Sequence, residues 1–350
     1  MKTRESAATQ PATQPMSLAF EVTVSAVQQL SPTFRRITFG GYSLRDFGVH
    51  GHTLDLRVKL VIPSRAPDGT PLPVPVFDTA HAGWYRDWLA MDPAVRGSMR
   101  TYTVREARLD AVYPEIDVDF VMHADEDGHA GPAVDWASKA KPGDPLTIIG
   151  PNNRAAHCVT AETYSGIEWR PGMAQRVLLA GDETAVPAIS AILETLPPYM
   201  SGHALLEVPQ AGDFLELSSP ADIEITWLAR GAAIGRSRPH GQLLQEAVRK
   251  AVPVPGWVGI TADDGGAGPE PDDVNVDEDI LWETPGRLES SVISGSRNPH
   301  LPAGALPFYA WMAGEAGVIK ELRRYLVRDV GIDRKQVAFM GYWRQGKAEG

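Results

Sequence analysis

Leu54, Leu56, Val58, Leu60 and Ile62 alternate with Asp55, Arg57, Lys59 and Val61, the period-two signature of a half-buried strand. Shorter runs of the same kind recur at 19–27, 34–39, 99–104, 116–122 and 146–149. With turn signals between them, residues 18–151 are expected to form a small antiparallel six-stranded barrel. One helix interrupts it. Gly131-Pro132-Ala133 opens that helix, Trp136, Ala137 and Ala140 form its buried stripe, and Lys141-Pro142-Gly143-Asp144 ends it.

Beyond residue 173 the pattern changes. Val177-Leu178-Leu179-Ala180 is a short apolar strand, and Ile189, Ile192, Leu193 and Leu196 then recur at helical spacing. Strands are expected at 204–208, 223–228, 308–312 and 337–342. Helices are expected at 243–248 and around Val318, Leu322 and Tyr325. Such alternation predicts a parallel α/β sheet covered by helices on both faces across residues 173–350. Residues 152–172 read as a linker, and residues 263–307 as an acidic Gly/Pro-rich insertion, either a surface excursion or a cover over a site. No internal repeat is visible. A barrel followed by an α/β domain resembles the plan of the ferredoxin-reductase-like flavoproteins, an analogy of fold that leaves the chemistry to the motifs.

Composition narrows the function. The chain has 350 residues, a hydrophobic fraction of 43% and a net charge of -11. That balance supports a sizeable core and argues against nucleic-acid binding. Any anion site must then be a local cluster of Arg and Lys. A lone cysteine, Cys158, excludes a disulfide framework and a Cys-rich metal site. No run approaches the ~18 apolar residues that span a bilayer. Residues 1–17 are polar without a signal-peptide core, and read as a disordered tail on a cytoplasmic protein.

Four motifs carry candidate chemistry. In Arg100-Thr101-Tyr102-Thr103, Arg100 and Tyr102 share one strand face, where a guanidinium can hold a pyrophosphate and a phenol ring can stack on a flat cofactor. Thr101 and Thr103 add hydroxyls. Next comes the strand Asp119-Phe120-Val121-Met122-His123, with Gly131-Pro132-Ala133 after it, a small helix entry whose free N–H groups suit an anion. His123 is either part of that site or an ordinary strand-end histidine. The third motif, Gly181-Asp182-Glu183-Thr184-Ala185, lies at a strand's carboxyl end, where open α/β sheets bind ligands. Its acidic pair would repel a phosphate, and Glu183 also reads as a simple helix-start charge. The fourth is Trp311-Met312-Ala313-Gly314-Glu315, together with Gly341-Tyr342-Trp343-Arg344-Gln345-Gly346-Lys347. That last string imitates a P-loop, but Ala348 stands where Ser or Thr is required.

In this order, with Trp136-Ala137 and Trp282-Glu283, these segments resemble the siderophore-interacting protein family over residues 18–347. The resemblance implies FAD on the barrel and a nicotinamide cofactor on the second domain, with a ferric siderophore in the cleft between them. It makes Arg100, Thr101, Tyr102, Thr103, Val121, His123, Gly131, Pro132 and Ala133 the expected flavin set. Gly181, Asp182, Glu183, Thr184, Arg230, Gly314, Glu315 and Trp343 complete the expected cofactor contacts. No metal is expected, and no side chain is expected to do the chemistry itself, since a flavin converts a hydride into single electrons for iron. Asn152-Asn153-Arg154 and the long acidic insertion depart from the family pattern and leave substrate range open.

An anionic chelate on an acidic protein needs local positive charge. Arg57 and Lys59 share a strand face, and Arg344 and Lys347 lie in the tail. Both pairs read equally well as solvated surface. Arg230, Arg236 and Arg238 follow a strand and can meet a 2′-phosphate, so NADH, NADPH or a ferredoxin stay open as donors. A general NAD(P)H:flavin or ferredoxin reductase, or a non-catalytic siderophore or flavin carrier, are the alternatives. No Gly-x-Ser-x-Gly elbow or His-Glu-x-x-His motif competes.

Overall fold

The computed structural model describes residues 14–66, 68–76, 78–79, 81, 83–123, 131–155, 160, 163–231, 237–253, 282–284 and 308–346. Most of the polar tail and the acidic insertion, Cys158, Arg236 and Lys347 lie outside them.

The first sheet contains β1 (Ser17–Gln29), β2 (Phe34–Gly40), β3 (Arg57–Ile62), β4 (Ser98–Thr103), β5 (Glu106–Arg108), β6 (Glu115–Val121) and β7 (Pro145–Pro151). Its order is β4-β3-β7-β1-β2-β6-β5, antiparallel throughout. The two edge strands are consecutive in the chain. β4 pairs with β3, and the Arg105 N–H immediately after it donates to the Asp117 carbonyl in β6 (2.8 Å), so the sheet curls until its edges meet. Phe20, Phe39, Phe47, Leu60, Phe120 and Ile148 fill the interior. Trp136 and Ala137 of α3 (Pro132–Lys139) close one end. Two short helices, α1 (Trp84–Ala90) and α2 (Pro93–Arg96), lie between β3 and β4.

Seven strands replace the six expected. The added one, β5, is three residues long and charged at both ends, so it shows no apolar alternation. Its register on β6 and the two 2.8 Å bonds from Arg108 to the Asp117 carboxylate hold it. The alternation from Leu54 also starts before its strand. Leu54 has φ 53, turning the chain in the left-handed region just ahead of β3.

The second sheet contains β8 (Arg176–Gly181), β9 (Ser201–Val208), β10 (Asp222–Ala229), β11 (Trp282–Glu283), β12 (Phe308–Glu315) and β13 (Val337–Trp343). The order is β10-β9-β8-β12-β13-β11, parallel except for β11 at the edge. Leu178 and Ala180 face α5 (Gln242–Ala251) and α6 (Ala316–Arg324), whereas Val177 and Leu179 face α4 (Val186–Leu193). Every residue of α4 is buried, which is why it is apolar all round. Strand order reverses between β8 and β12, the switch point at which ligands enter open α/β sheets.

Buried polar contacts join the two sheets. Asp213 accepts from Ser31 Oγ (2.8 Å), Thr33 N (2.8 Å) and Thr33 Oγ1 (2.9 Å). Asp55 accepts from Trp311 Nε1 (3.0 Å) and from the N–H groups of Glu168 and Trp169. Glu168 and Trp169 are themselves buried, so this part of the expected linker is packed into the molecule.

Candidate functional site

A cleft of about 450 Å³ opens where the curled sheet meets the carboxyl ends of the parallel strands. From the first sheet come Arg57 and Lys59 of β3, Arg100, Thr101, Tyr102 and Thr103 of β4, and Asp119 and Val121 of β6. His123 and the start of α3, Gly131, Pro132 and Ala133, complete that wall. Opposite stand Thr184 and Pro187 at the entry to α4, Trp282 of β11, and Gly341, Tyr342 and Trp343 at the end of β13. The β4 and α3 residues singled out in the sequence therefore meet in one place, as do Thr184 and Trp343.

Asp119 is the one acid among the described lining residues, and Arg36 neutralises it through two bonds of 2.6 and 2.8 Å. Among the described residues Arg100 donates to the Met99 carbonyl (2.9 Å) and no carboxylate pairs with it. Arg57 is engaged by Glu168 (2.9 Å) and lies 4.1 Å above the Trp282 ring, while Lys59 reaches Thr101 Oγ1 at 3.3 Å. Tyr102 packs against Phe120 with ring centroids 4.4 Å apart. Tyr342 stacks on Trp282 at 6.0 Å, and burial pushes its hydroxyl far above the usual range.

Gly181, Asp182, Glu183, Arg230, Gly314 and Glu315 do not line the cleft; they form its support. Asp182 accepts from Thr184 N (2.9 Å) and Oγ1 (2.5 Å), Glu315 N (2.8 Å) and Trp343 Nε1 (2.8 Å). Burial acts to raise its pKa, but neighbouring His240, with Thr184 and Trp343, more than reverses this and holds the carboxyl below its ordinary value. Glu183 receives both arms of Arg230 at 2.7 Å, and Arg230 also reaches Glu207 at 3.3 Å. Arg230 is thus committed to two carboxylates. Glu315 caps α6 by accepting from Val318 N at 2.9 Å. Gly314 has φ 150, and a Cβ there would lie 2.6 Å from Asp182 Oδ2. Arg344 follows Trp343 outside the lining, and Lys347 lies outside the described residues.

Several residues absent from the expected site belong to its walls. Asp119, Tyr342 and Trp282 lie inside motifs that the sequence did mark. Val134 and Pro187 are helix-entry residues beside them. His240 does not line the cleft but backs it, its ring meeting Trp343 edge-on at 5.1 Å, and it carried no sequence signal because it stands singly before α5.

Comparison with known proteins places the chain in a family. The family described as siderophore-interacting protein matches residues 174–346, and the siderophore-interacting FAD-binding domain matches residues 23–155. A protein of Mycobacterium tuberculosis, itself named as uncharacterized, is 30% identical over 95% of this chain and 91% of its own length. The NADPH-dependent ferric-chelate reductase of Escherichia coli is 30% identical over 60% of this chain and 70% of its own length. The crystal structure of a siderophore utilization protein from T. fusca superposes with a TM-score of 0.61 at 26% identity, covering 95% of each chain. The chain belongs to the siderophore-interacting protein family and is a flavoprotein whose curled antiparallel sheet is that family's FAD-binding domain.

Proposed function

We propose that this protein is a cytoplasmic FAD-dependent NAD(P)H:ferric-siderophore oxidoreductase that releases iron as Fe(II). The observation that carries the reading is the cleft itself, where an anion-binding wall on the curled sheet faces the switch point of a parallel sheet. The residues present fit FAD. Arg100 presents a guanidinium without a carboxylate partner among the described residues, and a Cβ built on Gly131 would meet nothing within 4 Å, leaving open space at the entry of α3. Asp119, the one acid among the described lining residues, is neutralised by Arg36. A pyrophosphate is thereby favoured by charge and by the helix N–H groups together.

In this reading Arg100 and the first turn of α3 bind the pyrophosphate, and the hydroxyls of Thr101 and Thr103 orient the ring edge. Tyr102, buttressed by Phe120, and Trp343, tied to Asp182, are the aromatic side chains that would hold a flat ring. When bound, a flavin supplies the conversion of a two-electron hydride donor into one-electron deliveries. The nicotinamide is received at the carboxyl ends of β8 and β12, beside Thr184 and the Gly314 turn. Arg230 is already paired with Glu183 and Glu207, so choice between NADH and NADPH falls to other residues, such as exposed Arg238. Lys59 contributes positive charge toward an anionic chelate, and Arg57 does so less because Glu168 offsets it. One-electron reduction turns hard Fe(III) into Fe(II), which oxygen donors hold less tightly. The donor and substrate named for the Escherichia coli relative support this assignment.

The test is anaerobic. The purified protein should carry or take up FAD, lose its yellow colour with NADH or NADPH, and regain it on addition of a ferric siderophore as a ferrous trap colours. A general flavin or ferredoxin reductase would bleach without responding to the chelate. A carrier would not bleach at all.

A further inference from the structure

We propose that His240 is a positioning residue that holds Trp343 at the cleft wall through the Asp182 carboxylate, and that its protonation state sets how firmly the indole is held. The inference rests on the proposed flavin site only for its functional consequence. Its structural core is a three-membered contact. His240 Nε2 lies 3.5 Å from Asp182 Oδ2, the oxygen that also accepts from Trp343 Nε1 at 2.8 Å, and the imidazole packs edge-on against that indole at 5.1 Å. The His240 and Asp182 side chains are 15% and 2% exposed, and neither ring nitrogen of His240 makes a hydrogen bond among the described residues. At 3.5 Å and without good hydrogen-bond geometry, the attraction between the imidazole and Asp182 is chiefly electrostatic and is greatest when the ring is protonated.

The surrounding charges favour that form. Asp182 and, at 4.0 Å, Glu183 are the acids facing His240. Arg230 opposes them, but it is bound by Glu183 and by Glu207, which also accepts from the N–H of Gly241 beside the histidine at 2.6 Å. The outcome is a raised His240 pKa: burial lowers it, and Asp182 more than compensates. The His123 ring lies 6.4 Å from Trp343 and is a second histidine against the indole.

The linkage follows from the cost of a buried anion. Asp182 serves donors from Thr184, Glu315 and Trp343, which requires it to be ionised, and an ionised carboxylate at 2% exposure needs a compensating cation. Once His240 loses its proton with rising pH, the buried Asp182 anion loses its compensating cation and draws in water. That water competes with the indole N–H for Oδ2, and the indole then loosens where the flavin and nicotinamide are to meet.

Fluorotryptophan-labelled full-length protein tests this by 19F NMR, independently of turnover, with the Trp343 resonance assigned from Trp343→Phe. In the wild type that resonance should move in one step, at a pH above the ordinary histidine value of about 6.5. The step should vanish in His240→Gln and persist in His123→Gln. Flavin reduction by nicotinamide should lose its alkaline limb in His240→Gln, with the Michaelis constant for the ferric chelate unchanged. A pH-independent Trp343 resonance in the wild type, which needs no His240 variant to fold, overturns the proposal, as does a step surviving in His240→Gln or His240→Asn. A protein that binds no flavin would instead defeat the functional reading while the Trp343 titration still stood.

Discussion

Arg100 shows what one unpaired charge does at a cleft wall. Its neighbours Arg36 and Arg57 are held by Asp119 and Glu168, whereas no carboxylate among the described residues holds Arg100. Charge-assisted bonds to a buried phosphate contribute about 1.5–3 kcal/mol, so Arg100→Ala should raise the FAD dissociation constant about ten- to a hundredfold. Quenching of flavin fluorescence on titration measures it, and unchanged affinity in a folded variant would remove Arg100 from the site. The Asp182–His240 pair carries a pH signature of its own. Asp182 has a depressed pKa, so its stabilising effect is present above the unfolded value near 3.9 and is lost as pH falls through the folded value. His240 has a raised pKa, so its contribution is complete below about 6.5 and is lost as pH rises through the folded value. Thermal melts should therefore decline on the alkaline side in the wild type and stay flatter there in His240→Gln. Equal slopes would show that the two groups are not coupled. At this scale the sequence was legible where residues sat together in a motif, as in Arg100-Thr101-Tyr102-Thr103. It was silent on pairings such as Arg230 with Glu183, which depend on residues 47 apart in the chain.

At the scale of elements, apolar periodicity located every long strand of both sheets, because each packs an apolar face against a core, β10 only partly buried. It missed β5, whose three residues are held by register and by Arg108 instead. It also drew β3 too early, since Leu54 alternates in kind while turning in conformation. The β12–α6 junction shows why a strand end can be so demanding. Gly314 must leave room for an Asp182 carboxylate that four donors hold in place, so Gly314→Ala forces the new Cβ against an atom with no freedom to yield. That substitution should destabilise the protein by about 1–3 kcal/mol and weaken the hold on Trp343, since strain of this kind costs that much per residue. Urea denaturation followed by circular dichroism checks the first part. A wild-type midpoint would mean the junction relaxes more than its packing suggests.

For the whole molecule, the change from period-two runs to alternating strands and helices foretold two sheets of different kind, and the structure contains both. How they join was not readable, because the contacts are buried polar groups scattered along the chain. Asp213 takes donors from Ser31 and Thr33, and Asp55 takes them from Trp311 and the 168–169 segment. Burial raises the Asp55 pKa against those bonds, as expected for an anion enclosed at the seam. Asp213→Ala would strand the Ser31 and Thr33 donors and should cost about 1–3 kcal/mol. Calorimetry would show it as a lowered melting temperature, and an unchanged transition would remove Asp213 from the joint. What the joint encloses decides the function. A crystal structure of the FAD complex tests the proposed flavin site most directly. The pyrophosphate should lie at Arg100 and the first turn of α3, with the ring system between β4 and Trp343. A flavin bound outside that cleft, or with its phosphates away from Arg100 and α3, would contradict it.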